Sequence, residues 1–315
     1  MNETSTETGI VVSVNISAEK GKPKQPVSQV IVGQYGIEGD AHAGPGHRQV
    51  SLLALESIEQ FSAGAERPFR YGEFAENITT RNLNVNKIAM LDTLTIGRVE
   101  LEVSQLGKSC HENGCPIYQE VGRCVMPTDG IFCRVVKGGV IKPNDLISHT
   151  PRPLRLRVIT MSDRASRGEY HDRSGPKVRE HLDEFFKDKR WHAEIETMVL
   201  PDDASLLRKE LESARETGVD GVFTTGGTGV GPKDISPDVV TAMADKLIPG
   251  IMEQIRLKFG ADHPNALLSR SVAAVLGTTV VYTLPGSVRA VDEYMSEILK
   301  TMEHLLFMLH GLDYH

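Results

Sequence analysis

The chain of 315 residues carries 35 lysines and arginines against 42 aspartates and glutamates, and its formal charge is −7. Its 40% hydrophobic and 24% charged residues are those of a globular protein of about two domains, which excludes collagen-like, fibrous and disordered chains. The acidic balance argues against broad electrostatic binding to nucleic acid or an anionic membrane. Any anionic ligand must therefore be held by a specific site.

The N-terminal sequence is acidic and polar, without the basic and apolar regions of a signal peptide. No apolar run approaches the roughly 18 residues that a membrane span needs. The four cysteines all lie between Cys110 and Cys133, and they are too few for a secreted disulfide scaffold. The sequence therefore predicts a cytoplasmic protein with reduced thiols and no membrane partner.

The first part of the chain, to about residue 148, is predicted to be mostly β. Short runs of β-branched or alternating residues are broken by glycine, asparagine and proline, and only the stretch from Leu52 to Phe61 has helical spacing. This pattern is typical of a β barrel or sandwich. The predicted strands cover Gly9–Ile16, Val27–Val32, Leu91–Ile96, Val99–Val103 and Ile131–Val136.

A basic segment with two prolines, Thr150 to Pro153, follows this β-rich part. Each proline lacks a backbone donor and favours extended geometry at the residue before it, so the segment is predicted to be an exposed linker. We therefore expect two domains, residues 1–150 and residues 151–315.

Strands alternate with helices after the linker, which indicates an α/β domain whose mainly parallel sheet is covered by helices. Pro176 is expected at the first position of its helix. The predicted strands are Leu154–Met161, Ile195–Leu200, Gly221–Phe223 and Thr279–Leu284, and the predicted helices are Pro176–Phe186, Ala204–Ala214, Pro237–Leu247 and Val288–Leu309.

A glycine loop, Gly226-Gly227-Thr228-Gly229, follows a predicted strand and leads to the helix beginning near Ser236. Glycines let the backbone approach a ligand, and successive N–H groups form an anion-binding nest at the carboxyl end of a strand. The alternative is a flexible turn capped by Ser236.

Two carboxylates occupy similar places in the topology, Asp202 after one strand and Asp234 just beyond the glycine loop. Neighbouring strand ends bring such loops together, and carboxylates beside a polyphosphate are suited to Mg²⁺. The alternatives are that Asp202 or Asp203 caps the next helix and that Asp234 begins a turn, and for Asp203 we favour the cap. The sequence thus predicts a magnesium site made by Asp202 and Asp234.

Two further strand ends carry polar residues. The first strand is followed by Ser162 and Asp163, with Ser174 beyond, which suits a nucleotide or a polar ring. The turn Leu284-Pro285-Gly286-Ser287 precedes the last helix and offers another contact for an anion at a helix N-terminus.

Motifs over residues 154 to 312 resemble, in order, those of the molybdopterin adenylyltransferase family. They are Ser162-Asp163-Arg164-Ala165-Ser166, Asp172 with Ser174-Gly175-Pro176, Leu200-Pro201-Asp202, Thr224-Thr225-Gly226-Gly227-Thr228-Gly229, Lys233-Asp234 with Ser236-Pro237, Pro249-Gly250, Leu268-Ser269-Arg270 and Leu284-Pro285-Gly286. In two places the chain departs from the pattern, because Lys233 stands where many relatives carry arginine, and Ser287 where an Asn-Pro or Gln-Pro continuation is common.

The resemblance implies a three-layer α/β fold, a homotrimer formed through this domain, and a reaction that joins ATP to molybdopterin and releases pyrophosphate. It assigns Asp202 and Asp234 to Mg²⁺ and catalysis, and the loop from Gly226 to Gly229, with Thr228, to phosphate. The same resemblance places Ser162, Asp163 and Ser174 near the nucleotide, and Ser269, Arg270 and Ser287 at molybdopterin.

The first domain is similar, over residues 9 to about 148, to the C-terminal domain of molybdenum-cofactor sulfurase, or MOSC domain. The similarity is carried by the segments 35–44, 47–53, 71–79 and 107–116. It implies a β-rich fold with one characteristic cysteine, Cys110, that carries sulfur or binds the molybdenum cofactor or a metal. Lys108 and His111 lie nearby in sequence, and cationic neighbours favour the reactive thiolate. The sequence leaves two interpretations of the loop around Asp40 and His42, a ligand-binding site or an exposed loop that joins two strands.

The other cysteines follow at spacings looser than those of structural zinc sites. A zinc site stays an alternative, with Cys115 and Cys124 unassigned, while Cys133 in a predicted strand is expected to be a buried apolar residue.

Both halves point to molybdenum cofactor biosynthesis by independent motifs. The first hypothesis is an adenylyltransferase whose N-terminal domain binds or hands on cofactor, metal or sulfur. A second is a carrier that binds molybdopterin without catalysis, and a third is a nucleotide-binding regulator. For the N-terminal domain, sulfur transfer and reduction of N-hydroxylated compounds both stay open.

Overall fold

A computed structural model describes residues 7–65, 67–108 and 116–312. The chain divides between Arg152 and Pro153 into two units, called here the β domain and the α/β domain. No helix in these described ranges combines the length and the apolarity needed to cross a membrane.

The β domain is built from short strands and three helices among its described residues. Its helices are α1 (Leu55–Ala65), α2 (Pro116–Val121) and α3 (Met126–Asp129), and Val85–Lys87 forms a 3₁₀ turn. Its strands are β1 (Glu7–Ile16), β2 (Gln25–Val27), β3 (Val30–Gly33), β4 (Gly36–Ile37), β5 (Val50–Ala54), β6 (Ile78–Arg81), β7 (Thr93–Ile96), β8 (Val99–Leu106), β9 (Ile131–Lys137), β10 (Gly139–Ile141) and β11 (Leu146–Thr150).

These strands confirm the expected barrel. The larger sheet has the order β11-β7-β8-β9-β5-β6-β1-β2, and pairing of β11 with β1 closes all but β2 into the barrel. The strands β10, β3 and β4 form a small second sheet. Side chains alternate along β8, where Leu101 and Val103 are buried and Glu100 and Glu102 are half-buried, so the apolar set fills the barrel.

Two predictions in this domain are wrong in detail. The stretch from Leu52 to Phe61 is a strand as far as Ala54 and a helix only from Leu55, because the backbone of β5 pairs with both β6 and β9. The predicted strand Val27–Val32 is two strands, since β2 pairs with β1 and β3 pairs with β10. Pairing partners are distant in sequence, and local periodicity does not reveal them.

The α/β domain begins directly with a strand at Pro153. Its strands are β12 (Pro153–Met161), β13 (His192–Leu200), β14 (Gly221–Thr225), β15 (Lys246–Leu247), β16 (Ala273–Leu276) and β17 (Thr279–Leu284). Its helices are α4 (Asp163–Ser166), α5 (Ser174–Phe186), α6 (Ala204–Glu216), α7 (Ser236–Met243), α8 (Pro249–Gly260) and α9 (Val288–Leu309), and Pro264–Leu268 forms a 3₁₀ turn.

The sheet order is β13-β12-β14-β17-β16-β15. The first four strands pair in parallel, and β16 is antiparallel to both of its neighbours, β17 and β15. Helices α6 and α7 cover one face, where Leu207, Leu211 and Val240 pack on Val222 and Val281. Helices α5, α8 and α9 form the other layer. The three-layer, mainly parallel α/β fold is thus confirmed.

Some boundaries differ from those predicted. Helix α5 begins at Ser174, two residues early, so Pro176 is not at its first position. Helix α7 ends at Met243, and Leu247 lies in β15 instead, where it pairs with β16. The short helix α4, helix α8 and the short strands β15 and β16 have no counterpart among the predicted elements.

Candidate functional site

The polar segments singled out in the sequence lie at one edge of the α/β sheet. In the parallel register Met161 pairs with Leu200, Thr160 with Thr225, and Thr225 with Leu284. The four carboxyl ends therefore sit side by side. The chain crosses from one side of β12 to the other between β13 and β14, and such a switch point is where open α/β sheets form a ligand crevice.

The loop after β12 is tied to the loop after β13 by two carboxylates. Asp163 N donates to Asp202 Oδ2 at 3.2 Å, and Asp202 N donates to Asp163 Oδ1 at 3.1 Å. Ser162 caps α4, its hydroxyl accepting from Ala165 N at 3.2 Å. These reciprocal bonds fix Asp202 beside Asp163, so the neighbouring residue Asp203 is left to cap α6, as predicted.

Lys233 connects this pair of loops to the glycine loop. Its ammonium group forms an ion pair with Asp163 Oδ2, which holds the pKa of the Asp163 carboxyl below its ordinary value. Asp234 is the next residue, so Asp202 and Asp234 are joined through Asp163 and Lys233. This is the position at which the chain departs from the common arginine, and the cation is retained.

The first two glycines of the loop have backbone conformations that other residues rarely adopt, with φ of +96° at Gly226 and +64° at Gly227. A Cβ atom on Gly226 would lie 2.4 Å from the carbonyl oxygen of Met161. Gly226 N donates to Leu284 O at 2.9 Å, and Ser236 Oγ donates to Gly226 O at 3.0 Å. The loop is thus packed on its neighbours, and Ser236 binds it rather than capping α7, whose N-cap is Ile235.

Three consecutive amides follow in this loop. Across the described parts of the chain, no group accepts a hydrogen bond from the backbone N–H of Gly227, Thr228 or Gly229. Adjacent N–H groups without internal acceptors form a concave site of positive potential, which suits phosphate oxygens. These three N–H groups are therefore available to an anion, and the nest stays a prediction.

The carboxylates of Asp202 and Asp234 each use only one oxygen within the described residues. Asp202 Oδ2 accepts from Asp163 N, and Asp234 Oδ2 accepts from Gly231 N at 2.8 Å. Among these same residues neither carboxylate forms an ion pair, and each Oδ1 accepts no hydrogen bond. Carboxylate oxygens that are not already used are the donors that Mg²⁺ prefers, so the donor chemistry of each aspartate fits this ion.

Ser174 is buried at the start of α5, where sequence reasoning had placed a loop. Its hydroxyl lies 2.6 Å from Thr225 Oγ1 and donates to Asp172 Oδ1 at 3.1 Å, while Asp172 Oδ2 accepts from Thr160 Oγ1 at 2.6 Å. Ser174 and Asp172 thus hold Thr225, directly before the glycine loop. Thr225 and Asp172 were not among the predicted site residues, although both lie in the quoted motifs.

The segment before β16 also reaches the glycine loop. Arg270 donates from its backbone and its guanidinium to carbonyl oxygens of that loop. Ser269 Oγ lies 2.9 Å from Ser271 Oγ and accepts from the Tyr294 hydroxyl at 2.9 Å. Ser287 caps α9 by accepting from Ala290 N at 3.2 Å, and its neighbour Gly286 packs against Gly226. All the predicted residues of this domain therefore gather around one edge of the sheet.

In the β domain, Cys110 and Cys115 lie outside the described residues. Cys133 is fully buried in β9 among the barrel side chains, as predicted, and burial raises the pKa of its thiol well above the ordinary value. Cys124 is half-buried against an apolar cluster that includes Phe61 and Phe132.

The loop around Asp40 forms a buried ion pair with Lys24. Lys24 Nζ lies 2.5 Å from Asp40 Oδ2, and both side chains are 1% exposed. Asp40 also accepts from Ser17 N at 3.1 Å and from His42 N at 3.0 Å. Burial acts to raise the pKa of Asp40, but the bonds from His42 and Lys24 outweigh it and hold the pKa below its usual range.

Glu76 is another buried acid of this domain. Its Oε1 accepts from Gly72 N at 2.5 Å and from Thr79 Oγ1 at 3.0 Å, while Oε2 has no partner in the described residues. Burial raises the pKa of Glu76 to about 7. Glu76 lies in the segment 71–79 that carries the MOSC similarity, but the sequence pattern does not single it out, and Lys24 lies in a polar stretch that gives no signal of burial.

The fold and the strand-end site define an open-sheet α/β protein with a glycine loop at its strand ends, preceded by a β barrel. Residues 157–304 match the family described as "Probable molybdopterin binding domain", and residues 38–148 match the MOSC domain. The chain is 34% identical over 146 residues to the molybdopterin adenylyltransferase of Haemophilus influenzae. The matched stretch covers 46% of the chain and 73% of that protein. It belongs to the molybdopterin adenylyltransferase family.

Two other relatives show how this domain occurs elsewhere. The molybdopterin adenylyltransferase of Helicobacter pylori strain J99 is 31% identical over 50% of the chain and 89% of its own length. A "Molybdenum cofactor biosynthesis bifunctional protein" of Synechococcus elongatus is 32% identical over 50% of the chain, which spans 48% of that protein. The matches support a place in molybdenum cofactor biosynthesis, and both predicted families are confirmed.

Proposed function

We propose that the α/β domain catalyses the Mg²⁺-ATP-dependent adenylylation of molybdopterin with release of pyrophosphate. The observation that carries the proposal is the row of three amides, Gly227 to Gly229, lying at the strand ends that also bear Asp202 and Asp234. Anionic phosphates and a divalent cation need these two kinds of group side by side.

The reaction transfers an adenylyl group between phosphates. The terminal phosphate oxygen of molybdopterin forms a bond to the α-phosphorus of ATP, the bond from that phosphorus to the bridging β-oxygen breaks, and pyrophosphate leaves with the electron pair. The protein positions the reactants and neutralises charge, as in other transfers at phosphorus. The amides of the glycine loop would hold phosphate oxygens without having to reorganise.

Asp202 and Asp234 would hold Mg²⁺, which when bound supplies charge neutralisation to the triphosphate. The reciprocal bonds with Asp163 orient Asp202, and the bond from Gly231 N orients Asp234. In each aspartate, Oδ2 is bound within the protein and fixes the orientation of the carboxylate, so that Oδ1 is available to the ion.

The remaining contacts follow the strand ends. Ser162, Asp163 and Ser174 would lie near the nucleotide, and Ser269, Arg270 and Ser287 near molybdopterin. For the β domain we propose that Cys110 binds or transfers the molybdenum cofactor, a metal or sulfur. The Cys110 hypothesis predicts that labelling by a thiol reagent at varied pH gives a pKa below the roughly 8.5 of a free cysteine.

A homotrimer formed through the α/β domain is part of the proposal. Large apolar side chains lie exposed in this domain, including Val230 at 75% and Leu257 at 70%. Burying such side chains against other copies of the chain is more favourable than leaving them exposed to water. Light scattering would give a mass of three chains, and the mass of one chain would contradict the trimer.

The decisive experiment incubates the full chain with molybdopterin, ATP and Mg²⁺ and measures pyrophosphate and the adenylylated product. Asp234→Ala is expected to lower the rate by roughly 100-fold or more, because it removes a charge-stabilising group. Asp203→Ala, in the cap next to Asp202, serves as the matched control and should keep the rate.

Three outcomes would contradict the proposal. An unchanged rate in Asp234→Ala would remove Asp234 from catalysis. Binding of molybdopterin without turnover would favour the carrier hypothesis, and ATP binding with no preference for molybdopterin would favour a nucleotide-binding regulator.

A further inference from the structure

Arg270 joins both ends of the loop that follows the glycines. Its backbone N donates to Thr228 O at 2.9 Å and its Nε donates to Gly229 O at 2.6 Å. Its Nη2 donates to Asp234 O at 2.5 Å, five residues further on. The side chain is 37% exposed and its Nη1 donates to Asp238 Oδ1 at 2.7 Å.

The loop between these contacts forms a turn of its own. Gly231 N donates to Asp234 Oδ2 at 2.8 Å, and Asp234 N donates to Gly231 O at 3.0 Å. A Cβ atom on Gly229 would lie 2.7 Å from Asp234 Oδ2, so the two ends are in close contact. The position of the Asp234 carboxylate therefore depends on how the two ends of the loop are held together.

The base from which Arg270 reaches the loop is itself held. Arg256 Nη1 donates to the carbonyl oxygens of Ser269 at 3.3 Å and Ser271 at 3.1 Å, on either side of Arg270. The Tyr294 hydroxyl donates to Ser269 Oγ. Arg270 thus extends from a braced segment to both ends of the loop.

We propose that Arg270 is a positioning residue that sets the amides of Gly227 to Gly229 at a defined distance from the Asp234 carboxylate. A guanidinium carries five N–H donors in a rigid plane, and here it spans two carbonyl oxygens that a lysine ammonium cannot bridge in the same way. The effect of Arg270 on kcat rests on the proposed adenylyl transfer, but its effect on the structure of the loop does not. This assignment goes beyond contact with molybdopterin.

The test compares Arg270→Gln and Arg270→Lys with the wild-type chain, and uses Asp238→Asn as the control that removes only the charge of the Nη1 partner. Hydrogen exchange of peptides covering residues 226–236 is measured without substrates. Both Arg270 variants should exchange about tenfold faster in this loop, because two hydrogen bonds to its carbonyls are lost. Asp238→Asn should exchange like the wild-type chain.

Kinetics then separate positioning from substrate contact. Both Arg270 variants should lower kcat by roughly 100-fold with little change in KM for molybdopterin, because a small misplacement of reacting groups is costly. If Arg270→Lys restores kcat and only KM for molybdopterin rises in Arg270→Gln, with loop exchange unchanged, Arg270 is a substrate ligand and the proposal is overturned. The milder lysine variant and a circular dichroism spectrum identify loss of folding.

The two proposals fail in different ways. If the wild-type chain releases no pyrophosphate, the adenylyl-transfer proposal fails, yet the exchange comparison still decides the role of Arg270. If the wild-type chain is active and loop exchange in Arg270→Gln is unchanged, only the positioning proposal fails.

Discussion

In the β domain, several buried polar side chains bind one another, whereas the α/β domain presents polar groups at its strand ends that the described residues leave without partners. Lys24 pairs with Asp40 inside the first domain, and Asn77 both accepts from Ser51 Oγ at 3.0 Å and donates to Asn15 O at 3.2 Å. In the second, the amides of Gly227 to Gly229 find no such acceptor among the described residues. Polar groups that satisfy one another specify a fold, while convergent groups that do not are available to a ligand.

The largest effect should come from breaking the buried pair of the β domain. Lys24→Met leaves the buried, charged Asp40 without its ammonium partner, and we expect the free energy of unfolding of this domain to fall by about 3–5 kcal/mol. Urea unfolding followed by circular dichroism measures this. Trp191, the single tryptophan of the chain, lies in the α/β domain, so its fluorescence provides an internal reference.

An exposed ion pair of the same domain is the matched control. Lys87 Nζ lies 2.5 Å from Glu7 Oε1, but the Lys87 side chain is 60% exposed. Lys87→Met should cost at most about 1 kcal/mol, because water screens such pairs. Equal losses in the two variants would show that burial does not set the importance of the Lys24 pair.

Glu76 tests the same comparison through pH. Its folded pKa of about 7 lies above its ordinary value, so the folded state binds this proton more tightly than the unfolded state does. The stabilisation is complete below about pH 4.5 and is lost as the pH rises through about 7.

Glu76→Gln should remove this dependence. Above pH 7 it should be more stable than the wild-type chain by an amount on the order of 3 kcal/mol, and the advantage should shrink as the pH falls. Urea unfolding at pH 5 and pH 8 measures the difference. A difference that does not vary with pH would mean that Glu76 is already ionised without cost in the folded chain.

The smallest effect concerns a residue with two candidate roles. Ser287 caps α9 and is proposed to contact molybdopterin, while Asp203 only caps α6. Ser287→Ala and Asp203→Ala should each lower stability by about 1 kcal/mol, the usual value of a cap. Only Ser287→Ala should raise KM for molybdopterin. Equal KM values in the two variants would mean that Ser287 caps the helix and does not contact molybdopterin.

Much of the α/β domain can be predicted from local sequence. Strand Thr279–Leu284 and helix Val288–Leu309 have the bounds expected from their apolar patterns, because each is long enough to show its period. The motifs at the strand ends were also recognisable. The short strands β15 and β16 were not, since such strands depend on pairing with distant residues.

The candidate site shows the same limit. Motifs named Asp202, Asp234 and the glycines, but they did not show that Arg270 binds the carbonyls of that loop or that Ser174 is buried against Thr225. In the β domain, sequence reasoning described the Asp40 loop without its partner, because Lys24 lies in a stretch that is polar throughout.

The amino-acid sequence by itself determines the division into two domains, the class of each fold and the residue types of the site, because periodicity, glycine and proline act over a few neighbouring residues. Tertiary structure decides which polar groups are buried together and which remain for a ligand. That decision depends on contacts between segments far apart in the chain, as between Arg270 and Gly229 or Lys233 and Asp163. Only folding places them within hydrogen-bonding distance.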